Sequence, residues 1–314
     1  MCLLRNHFTR PAPSRAQFQY NNARVFSKRA GERRDIFNLG NDTHYFIYEA
    51  SFYISLCKMK QHKIFIDAGG WYGAYYLGMF HYMFEEFGTT IFEDVYFEGI
   101  SAGSFTSGYC LATIYGCRDN RYWLELGQKR ATINNNYGNS RLTFGMYQTG
   151  KLFYEQLDDI QRSKIREYYC GICMDSNLKP YRCEQINNIT DYGSAVASSA
   201  NIPGLGSLYA WKFRDVYLWD GYFNGNTIYD NLNNDCENIL LITFDAKRIK
   251  PNPTYVILDL SEWTTYSILN SLLPSFFPQY TTLGICDDLF EQGYNDAKLH
   301  KTQVREKLTA FGLL

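Results

Sequence analysis

The sequence predicts an α/β fold in which helices pack on a mainly parallel central sheet. Two observations carry this prediction. From residue 62 onward, short apolar runs typical of buried strands alternate with longer helical patterns. At two points, a glycine-rich turn joins such a strand directly to a helix. Strands that alternate with helices usually lie side by side in a parallel sheet, with a layer of helices on each face.

The first strand–helix unit contains a candidate anion-binding turn. Residues 63–66 form a short apolar strand, Gly69 and Gly70 follow it, and a helix is predicted from residue 73 to about 87. A glycine turn at this place leaves backbone N–H groups free, and such donors can hold a phosphate or the oxyanion of a tetrahedral intermediate. The dinucleotide fingerprint is broken because Ala68 occupies its first glycine position, and the Walker pattern lacks its lysine. A tight turn without chemistry is the alternative.

The second unit contains a candidate catalytic serine. An alternating run at 94–98 predicts a strand, a largely apolar helix is predicted over 102–115, and Ser101 lies between them. Gly99 and Gly103 complete the pattern G-x-S-x-G, which is typical of a nucleophile elbow because bulkier side chains would block the tight turn. A small-residue turn without a catalytic role produces the same pentapeptide by chance.

A serine nucleophile needs a neighbouring base that accepts its proton. His300 lies downstream of Ser101, so a Ser–Asp–His triad is one interpretation, but its polar surroundings are typical of a solvated helix face. Asp220 is the stronger candidate because an apolar strand over 216–219 ends at it, and Gly221 turns the chain directly afterwards. A carboxylate acts as such a base when a dry pocket raises its pKa. An ordinary Asp-Gly turn is the structural alternative.

The expected topology predicts where these motifs meet. With right-handed crossovers, the loops after Ile66, Gly99 and Trp219 lie at one edge of a parallel sheet. Ligand sites of open α/β sheets form at the carboxyl ends of the strands. We therefore expect the glycine turn, the serine elbow and the aspartate to lie close together.

These motifs resemble those of the patatin-like phospholipase family, and most closely its adiponutrin and adipose triglyceride lipase branch. The resemblance covers roughly residues 62–300 and includes an oxyanion loop, the serine elbow and a distal Asp-Gly motif. The similar segments are AGGWYG at 68–73, GISAG at 99–103, ASSANIPG at 197–204, DGY at 220–222, LPSFFP at 273–278 and LFEQGYNDA at 289–297. Several motifs in this order are more specific than any one of them.

The resemblance implies a three-layer patatin-like sandwich and a lipid acyl hydrolase that cleaves fatty-acyl esters of phospholipid or acylglycerol. It implies that Ser101 is the nucleophile, that Asp220 is the proton acceptor, and that N–H groups around Gly69 and Gly70 form the oxyanion hole. It requires neither a metal ion nor an organic cofactor. The remaining motif residues are Gly99, Gly103 and Gly221.

Two residues depart from the pattern of the family. Ala68 stands where the oxyanion loop has its first glycine, and Tyr222 stands where the distal motif has glycine or alanine. Alanine still carries an N–H group, whereas the bulky Tyr222 side chain narrows or gates the site beside the proposed base. These departures leave a second interpretation, a catalytically weakened protein that binds lipid or acts as a scaffold.

The composition restricts the partners that we expect. The net charge is −1, so no overall positive field recruits nucleic acid. Aromatic residues make up 17% of the chain, and they fill the core or contact a lipid interface at the rim of the site. The expected partner is a lipid substrate at a membrane or lipid-droplet surface. Cys170, Cys173 and Cys183 lack a fourth ligand for zinc, which favours buried free thiols.

The first sixty residues differ in composition from the rest. Residues 1–34 contain eight Lys or Arg residues and one acidic residue, Glu32. This pattern fits a disordered basic extension or sequence upstream of a start at Met59, and it also resembles a mitochondrial transit peptide. Neither a cleavable signal peptide nor a membrane-spanning segment is predicted, so we expect an intracellular protein that is soluble or peripherally membrane-bound. The expected division is 1–58 as extension, 59–250 as hydrolase core and 251–314 as a C-terminal segment packed on that core.

Overall fold

The computed structural model describes residues 62–134, 142–224, 227–230, 232, 236, 238–265 and 283–314. The predicted basic extension at 1–58, with Met59, and the LPSFFP segment at 273–278 lie outside these residues. The glycine turn, the serine elbow and the distal aspartate all lie within the described residues, so the structure gives the geometry of the predicted site.

The described strands form one mixed sheet of eight strands. They are β1 (Lys63–Ile66), β2 (Tyr96–Ile100), β3 (Tyr169–Asp175), β4 (Pro180–Cys183), β5 (Trp211–Phe213), β6 (Val216–Asp220), β7 (Ile239–Thr243) and β8 (Tyr255–Asp259). Their order is β5-β6-β3-β2-β1-β7-β8, and β4 also pairs with β3. From β3 to β8 neighbouring strands are parallel, whereas β4, β5 and β6 join through antiparallel pairs. The predicted α/β fold with a mostly parallel central sheet is therefore confirmed.

Helices flank the sheet and connect its parallel strands. The helices of the described residues are α1 (Gly73–Phe87), α2 (Ala102–Ile114), α3 (Asn120–Asn134), α4 (Leu142–Glu155), α5 (Asp159–Tyr168), α6 (Ile189–Ser199), α7 (Thr227–Asp230), α8 (Leu283–Leu299) and α9 (Lys301–Phe311). Short 3₁₀ turns occur at Gly70–Tyr72, Thr89–Phe92, Gly221–Asn224, Ala246–Arg248 and Leu260–Glu262. The predicted helices after the glycine turn and the serine elbow are confirmed as α1 and α2. None of the helices described here has the length and apolar character needed to cross a membrane.

Apolar side chains pack on both faces of the sheet. In β1, Ile64 and Ile66 belong to the larger core cluster, whereas Phe65 belongs to a second cluster that includes Ile228 of α7. Successive side chains of a strand point to opposite faces, so the two clusters lie on opposite faces of the sheet. A strand that is buried on both faces has a continuous apolar sequence, which is the pattern that predicted β1.

Strand β8 and helices α8 and α9 continue the fold beyond residue 250. Strand β8 pairs with β7 in parallel, and α8 packs along α1. Between these two helices, the Tyr75 hydroxyl donates to Asp296 at 2.9 Å and the Tyr294 hydroxyl donates to Glu85 at 2.8 Å. The LFEQGYNDA segment at 289–297 therefore belongs to a helix that is fixed on α1.

Three cysteines lie on the antiparallel strands β3 and β4. Cys170, Cys173 and Cys183 are buried and free, and the Sγ atoms of Cys173 and Cys183 are 3.5 Å apart. Burial raises the pKa of the Cys170 and Cys183 thiols well above the usual value. Across the described ranges, no group of His, Cys, Asp and Glu side chains is arranged to hold a metal ion.

The strand that carries Asp220 runs in a direction that the sequence analysis did not predict. The loops after Ile66, Gly99 and Trp219 were expected at one edge of a parallel sheet, but β6 is antiparallel to β3. The expected crossover into a parallel β6 is wrong because β6 follows β5 in a hairpin, but the expectation that the end of β6 lies near the serine elbow agrees with the register.

The register on β3 shows how an antiparallel strand still brings Asp220 to the elbow. Gly171 and Ile172 pair with β2 and β4, whereas Cys173 pairs with β4 and β6. Strand β4 occupies one edge of β3. Strands β2 and β6 therefore pair with the opposite edge of β3, β2 with its first part and β6 with its last part. Ile100 lies opposite Ile172 and Asp220 lies opposite Cys173, so the two strand ends meet at adjacent positions.

Candidate active site

Ser101 occupies a strained turn between β2 and α2. Its backbone angles are φ 53° and ψ −117°, a region that residues other than glycine rarely adopt. Holding a non-glycine residue in such a region costs about 1–3 kcal/mol, and this strain is characteristic of a nucleophile elbow. Ser101 is almost buried, with 6% of its surface exposed. The tight turn that G-x-S-x-G predicts is therefore present.

The two motif glycines are required by close packing around this turn. A Cβ atom on Gly99 would lie 2.2 Å from the carbonyl carbon of Gly103. A Cβ atom on Gly103 would lie 2.0 Å from the carbonyl oxygen of Ile66, at the end of β1. Both distances are far shorter than a van der Waals contact, so neither position accepts a larger residue. The second contact also places the start of α2 against the chain that leads into the glycine turn.

Ser199 holds the backbone of the elbow. The Ser101 N–H donates to the Ser199 Oγ at 2.9 Å, and the Ser199 hydroxyl donates to the carbonyl oxygen of Ile172 on β3 at 2.8 Å. Sequence analysis assigned Ser199 no role, and its only signal was its place in the ASSANIPG segment. Because the Ser101 N–H is already bound, it is not available as an oxyanion donor.

The ends of β2 and β6 bring Ser101 and Asp220 together. The Ser101 hydroxyl is close enough to the Asp220 carboxylate to lower the pKa of Asp220. Asp220 also accepts the Tyr222 N–H at 2.9 Å, which fixes its orientation. Gly221 is confined beside β3, since a Cβ atom there would lie 2.8 Å from the carbonyl oxygen of Ile172. The structure therefore joins the two side chains that the sequence analysis selected as nucleophile and base.

Among the residues that the structure describes, no cation balances the charge of the buried Asp220. It is 1% exposed, and none of the groups that shift its pKa is positively charged. Burial raises the pKa of Asp220 to about 7, hydrogen bonds from the Tyr222 N–H and the Ser101 hydroxyl oppose the rise, and the charge of Asp67 adds to it. A carboxylate with a pKa close to neutrality is a stronger base than an ordinary aspartate and is still ionised in a large fraction of molecules at neutral pH.

The glycine turn presents two backbone donors. Gly69 precedes the 3₁₀ turn at Gly70–Tyr72, and Gly70 has a φ of 54°. Within the described part of the chain, the N–H groups of Gly69 and Gly70 have no hydrogen-bond partner. The N–H of Ala68, in contrast, donates to the Oδ1 atom of Asp67 at 2.8 Å. The two predicted oxyanion donors are therefore available, whereas the N–H of Ala68 is not.

Sequence analysis did not single out Asp67, which is buried directly beside this turn. It is 2% exposed, and its Oδ2 atom accepts the Tyr229 hydroxyl at 2.8 Å and the Thr243 hydroxyl at 2.7 Å. Burial raises the pKa of Asp67, while its hydrogen bonds and the charge of Arg248 oppose the rise. The available signal was its position, because an acidic residue between a buried apolar strand and a glycine turn is unusual.

Tyr222, the second departure from the family pattern, is half-buried next to Asp220. The guanidinium of Arg248 lies over its ring, 4.4 Å from the ring centroid, and Phe223 contacts the ring edge-on at 5.9 Å between centroids. Burial raises the pKa of the Tyr222 phenol, and Arg248 opposes this rise. The ring is therefore fixed by a cation–π contact. Whether it gates the site stays a prediction.

His300 lies in different surroundings from Ser101. It follows α8 and stacks on Trp263, with ring centroids 4.9 Å apart and an interplanar angle of 2°. Its interactions with other described residues involve neither Ser101 nor Asp220. The structure thus brings Asp220, and not His300, to the candidate nucleophile.

Comparisons with known proteins do not assign this geometry to a family. No protein-family model matches the chain, and no curated protein sequence matches it significantly. The resemblance to patatin-like phospholipases therefore rests on the ordered motifs and on the arrangement described above. The roles of Ser101, Asp220, Gly69 and Gly70 remain predictions.

Proposed function

We propose that the protein is a lipid acyl hydrolase of the patatin-like type, a three-layer sandwich with a Ser–Asp dyad. The observation that carries the proposal is the buried contact between Ser101, held at a strained elbow, and Asp220, whose pKa is raised to about 7. An ordinary Asp-Gly turn explains neither the strain nor the buried uncompensated acid. A serine nucleophile with its base requires both.

In the acylation step, Ser101 Oγ attacks the carbonyl carbon of a fatty-acyl ester while the Asp220 carboxylate accepts the hydroxyl proton. The negative charge moves to the carbonyl oxygen, where the N–H groups of Gly69 and Gly70 stabilise it. The intermediate then collapses, the C–O bond to the leaving alcohol breaks, and Asp220 returns its proton to that oxygen. The product is an acyl-enzyme on Ser101.

In the deacylation step, water attacks the acyl-enzyme and Asp220 accepts one of its protons. The bond to the Ser101 oxygen breaks, the fatty acid leaves, and Asp220 returns the proton to the Ser101 oxygen. The position of the glycine turn supports this scheme. A Cβ atom on Gly73 would lie 3.2 Å from the Cβ of Ala102, so the turn and the elbow enter their helices side by side.

Exposed apolar side chains near the base support a lipid substrate. The Asp220 N–H donates to the Asn201 carbonyl at 3.0 Å, and the Asn201 side-chain amide donates to the Tyr209 carbonyl at 3.0 Å. Tyr209 is 80% exposed, its neighbour Leu208 is 79% exposed, and Phe223 is 51% exposed. Exposed aromatic and apolar residues favour the boundary between water and lipid. We propose that the substrate is taken from a membrane or lipid-droplet surface, with phospholipid and acylglycerol as the candidate classes.

One observation favours the second candidate function, a catalytically weakened protein that binds lipid or serves as a scaffold. The N–H of Ala68 is bound to Asp67 and is lost to the oxyanion hole. The loss of one oxyanion donor lowers turnover by about 10²–10³-fold in a serine hydrolase. The pocket and its apolar rim would persist in such a protein.

The test is covalent labelling of the full chain with a fluorophosphonate ester, which reacts only with an activated serine. We expect labelling of the wild type and none of Ser101→Ala. The matched control is Ser163→Ala, which removes an exposed serine on α5 and should label like the wild type.

Hydrolysis of vesicles of phosphatidylcholine and emulsions of triacylglycerol then identifies the substrate class. Release of fatty acid from either by the wild type, and not by Ser101→Ala, supports the lipid hydrolase. Labelling without any fatty-acid release favours the weakened protein, and absence of labelling overturns the dyad.

A further inference from the structure

Asp67 connects the glycine turn to two other segments of the site. Its Oδ1 atom accepts the Ala68 N–H at 2.8 Å. Its Oδ2 atom accepts the hydroxyls of Tyr229 in α7 and Thr243 at the end of β7, at 2.8 Å and 2.7 Å. Such a set of short bonds to a buried carboxylate fixes the three segments relative to one another.

These contacts determine how the oxyanion donors point. The Ala68 carbonyl oxygen accepts the Tyr76 hydroxyl at 3.3 Å, and the peptide unit that carries this oxygen also carries the Gly69 N–H. The described residues contain no cis peptide bond, so the C=O and N–H of this unit point in opposite directions. Asp67 accepts a hydrogen bond from the peptide unit between residues 67 and 68, and Tyr76 donates one to the peptide unit between residues 68 and 69. These two hydrogen bonds, one on each side of Ala68, therefore determine the direction of the Gly69 N–H.

Asp67 also acts on the base through its charge. It faces Arg248, which itself lies over the rings of Tyr222 and Tyr229 at 4.4 Å and 5.9 Å from their centroids. Arg248 is partly balanced by Asp245, whose carboxylate lies 3.9 Å from its Nε. Of these groups, the Tyr229 hydroxyl contacts Asp67 directly, as does the Thr243 hydroxyl, and Arg248 acts on it through its charge. A negative charge at this place disfavours ionisation of a second carboxylate nearby, which is the effect that Asp67 has on Asp220.

We propose that Asp67 is a positioning residue for the proposed hydrolysis: it aligns the oxyanion turn through Ala68, and the charge of its carboxylate acts on Asp220. This inference rests on the proposed function. Asp67 does not touch the reacting atoms. It acts through the Gly69 and Gly70 donors and through the affinity of Asp220 for a proton.

Two substitutions separate the two parts of this role. Asp67→Asn keeps an oxygen that accepts the Ala68 N–H and an amide that bonds the two hydroxyls, but it removes the charge. Asp67→Ala removes both the charge and the bond to Ala68. Kinetics on p-nitrophenyl butyrate give kcat, KM and the pH midpoint of kcat/KM for each variant.

We expect the Asp67→Asn variant to have a lower pH midpoint than the wild type with kcat changed by less than about tenfold. Asp67→Ala should lower kcat by about 10²-fold with KM nearly unchanged, because a misaligned donor acts in the transition state. Tyr229→Phe removes one bond and keeps the charge, so its midpoint should stay close to that of the wild type. A purely structural role would lower the melting temperature of the Asp67 variants without moving the midpoint.

Carboxyl ¹³C NMR of aspartate-labelled protein tests the same inference without turnover. The Asp220 resonance, assigned with Asp220→Asn, should titrate at a lower pH in Asp67→Asn than in the wild type. An unchanged Asp220 titration together with an unchanged kcat in both Asp67 variants overturns the positioning role.

A wild type that neither labels nor hydrolyses esters instead contradicts the proposed function. In that case the NMR titration still decides whether Asp67 acts on Asp220. If Asp67→Ala does not fold, Asp67→Asn and Tyr229→Phe decide the question.

Discussion

Glu98 and Asp220 are buried carboxylates of the same sheet, but their surroundings differ in one respect. Glu98 on β2 is fully buried, and its Oε1 atom lies 3.1 Å from the Lys63 ammonium and also binds Arg182 of β4. Asp220, at the end of β6, is also buried, but among the described residues its carboxylate is influenced by the Tyr222 N–H, the Ser101 hydroxyl and the Asp67 charge, and not by a cation. Within the described part of the chain, Glu98 is compensated by two cations and Asp220 by none.

From this difference we expect Glu98 to stabilise the fold and Asp220 to be suited to act as a base. A paired buried carboxylate supports the fold, because removing one partner of a buried ion pair leaves the other charge uncompensated. An unpaired buried carboxylate destabilises the fold, and its raised affinity for a proton is what a general base needs. Asp67 lies between these cases, because three hydrogen bonds and the charge of Arg248 all lower its pKa.

The largest effect is expected when the unpaired acid is neutralised. Asp220→Asn should lower ester hydrolysis by at least about 10³-fold, because the Ser101 proton then has no acceptor, and the Ser101→Ala/Asp220→Asn double variant should be no worse than either single variant. The same change should stabilise the protein. The rise of the Asp220 pKa from 3.8 to about 7 corresponds to a cost of up to about 4 kcal/mol at pH 7.

The sign of this stability effect follows from the raised pKa. Folding disfavours the ionised form, so the cost of Asp220 grows as pH rises from 3.8 to about 7 and is absent below 3.8. Thermal unfolding should therefore show a gain for Asp220→Asn at pH 7 that shrinks toward pH 4. The exposed Asp215 of the same hairpin is the control, since Asp215→Asn should change neither stability nor hydrolysis. A destabilised but active Asp220→Asn would contradict the comparison.

The opposite result is expected for the paired acid. Glu98→Gln leaves Lys63 and Arg182 without their shared counter-charge, and breaking a buried pair by removing one partner costs about 3–5 kcal/mol. Urea unfolding measures the loss, and Glu93→Gln, at an exposed position, should stay within about 0.5 kcal/mol of the wild type. Hydrolysis per folded molecule should be retained. Loss of hydrolysis at full stability would mean that Glu98 belongs to the site.

The strands and the two motif turns could be predicted from the sequence because they depend on local patterns, whereas Asp220 was selected as a strand-end Asp-Gly and through the ordered motifs of the family resemblance. Apolar runs predict buried strands, and small residues around Ser101 predict a turn that only glycine permits. The direction of β6 was not accessible in this way. A short strand ending in Asp-Gly has the same pattern whether its partner is parallel or antiparallel, and the pairing with β3 was decided by the preceding hairpin.

The residues that support Ser101 and Asp67 could not be predicted from local sequence patterns either. Ser199 is separated from Ser101 by 98 positions and Thr243 from Asp67 by 176, so neither contact leaves a periodic signal in the sequence. Their side chains are common polar types that occur in many turns. Only the fold shows that Ser199 accepts the N–H of Ser101 at the strained elbow and that Thr243 donates to the buried Asp67 carboxylate.

A further effect is expected from pH. Asp220 accepts a proton only when it is ionised, so kcat/KM should rise with pH and reach a plateau above a midpoint of about 7. At two pH units below the midpoint, the rate should be about 10²-fold below the plateau. Initial rates on a p-nitrophenyl ester between pH 5 and pH 9 measure the curve. A midpoint near the ordinary aspartate value would show that Asp220 is compensated in solution and would remove its contrast with Glu98.

The smallest effect is expected at Ala68, which directly follows Asp67 in the chain. The family pattern has glycine here, and Ala68→Gly would raise turnover if the Cβ of Ala68 strained the oxyanion loop. Ala68 is not among the non-glycine residues with positive φ, so its Cβ imposes no such strain. Its N–H is already bound to Asp67. We therefore expect turnover within about twofold of the wild type and a stability loss of about 0.5–1 kcal/mol from the more flexible unfolded chain.

A matched pair of variants measures this effect. Ala310→Gly, at an exposed position of α9 away from the site, should lose a similar stability with unchanged turnover. If Ala68→Gly alone raises kcat tenfold or more across a series of p-nitrophenyl esters, the glycine restores a donor that Asp67 withholds in the wild type. Asp67 would then compete with the oxyanion for the N–H of Ala68, and the weakened-enzyme interpretation would replace the positioning role.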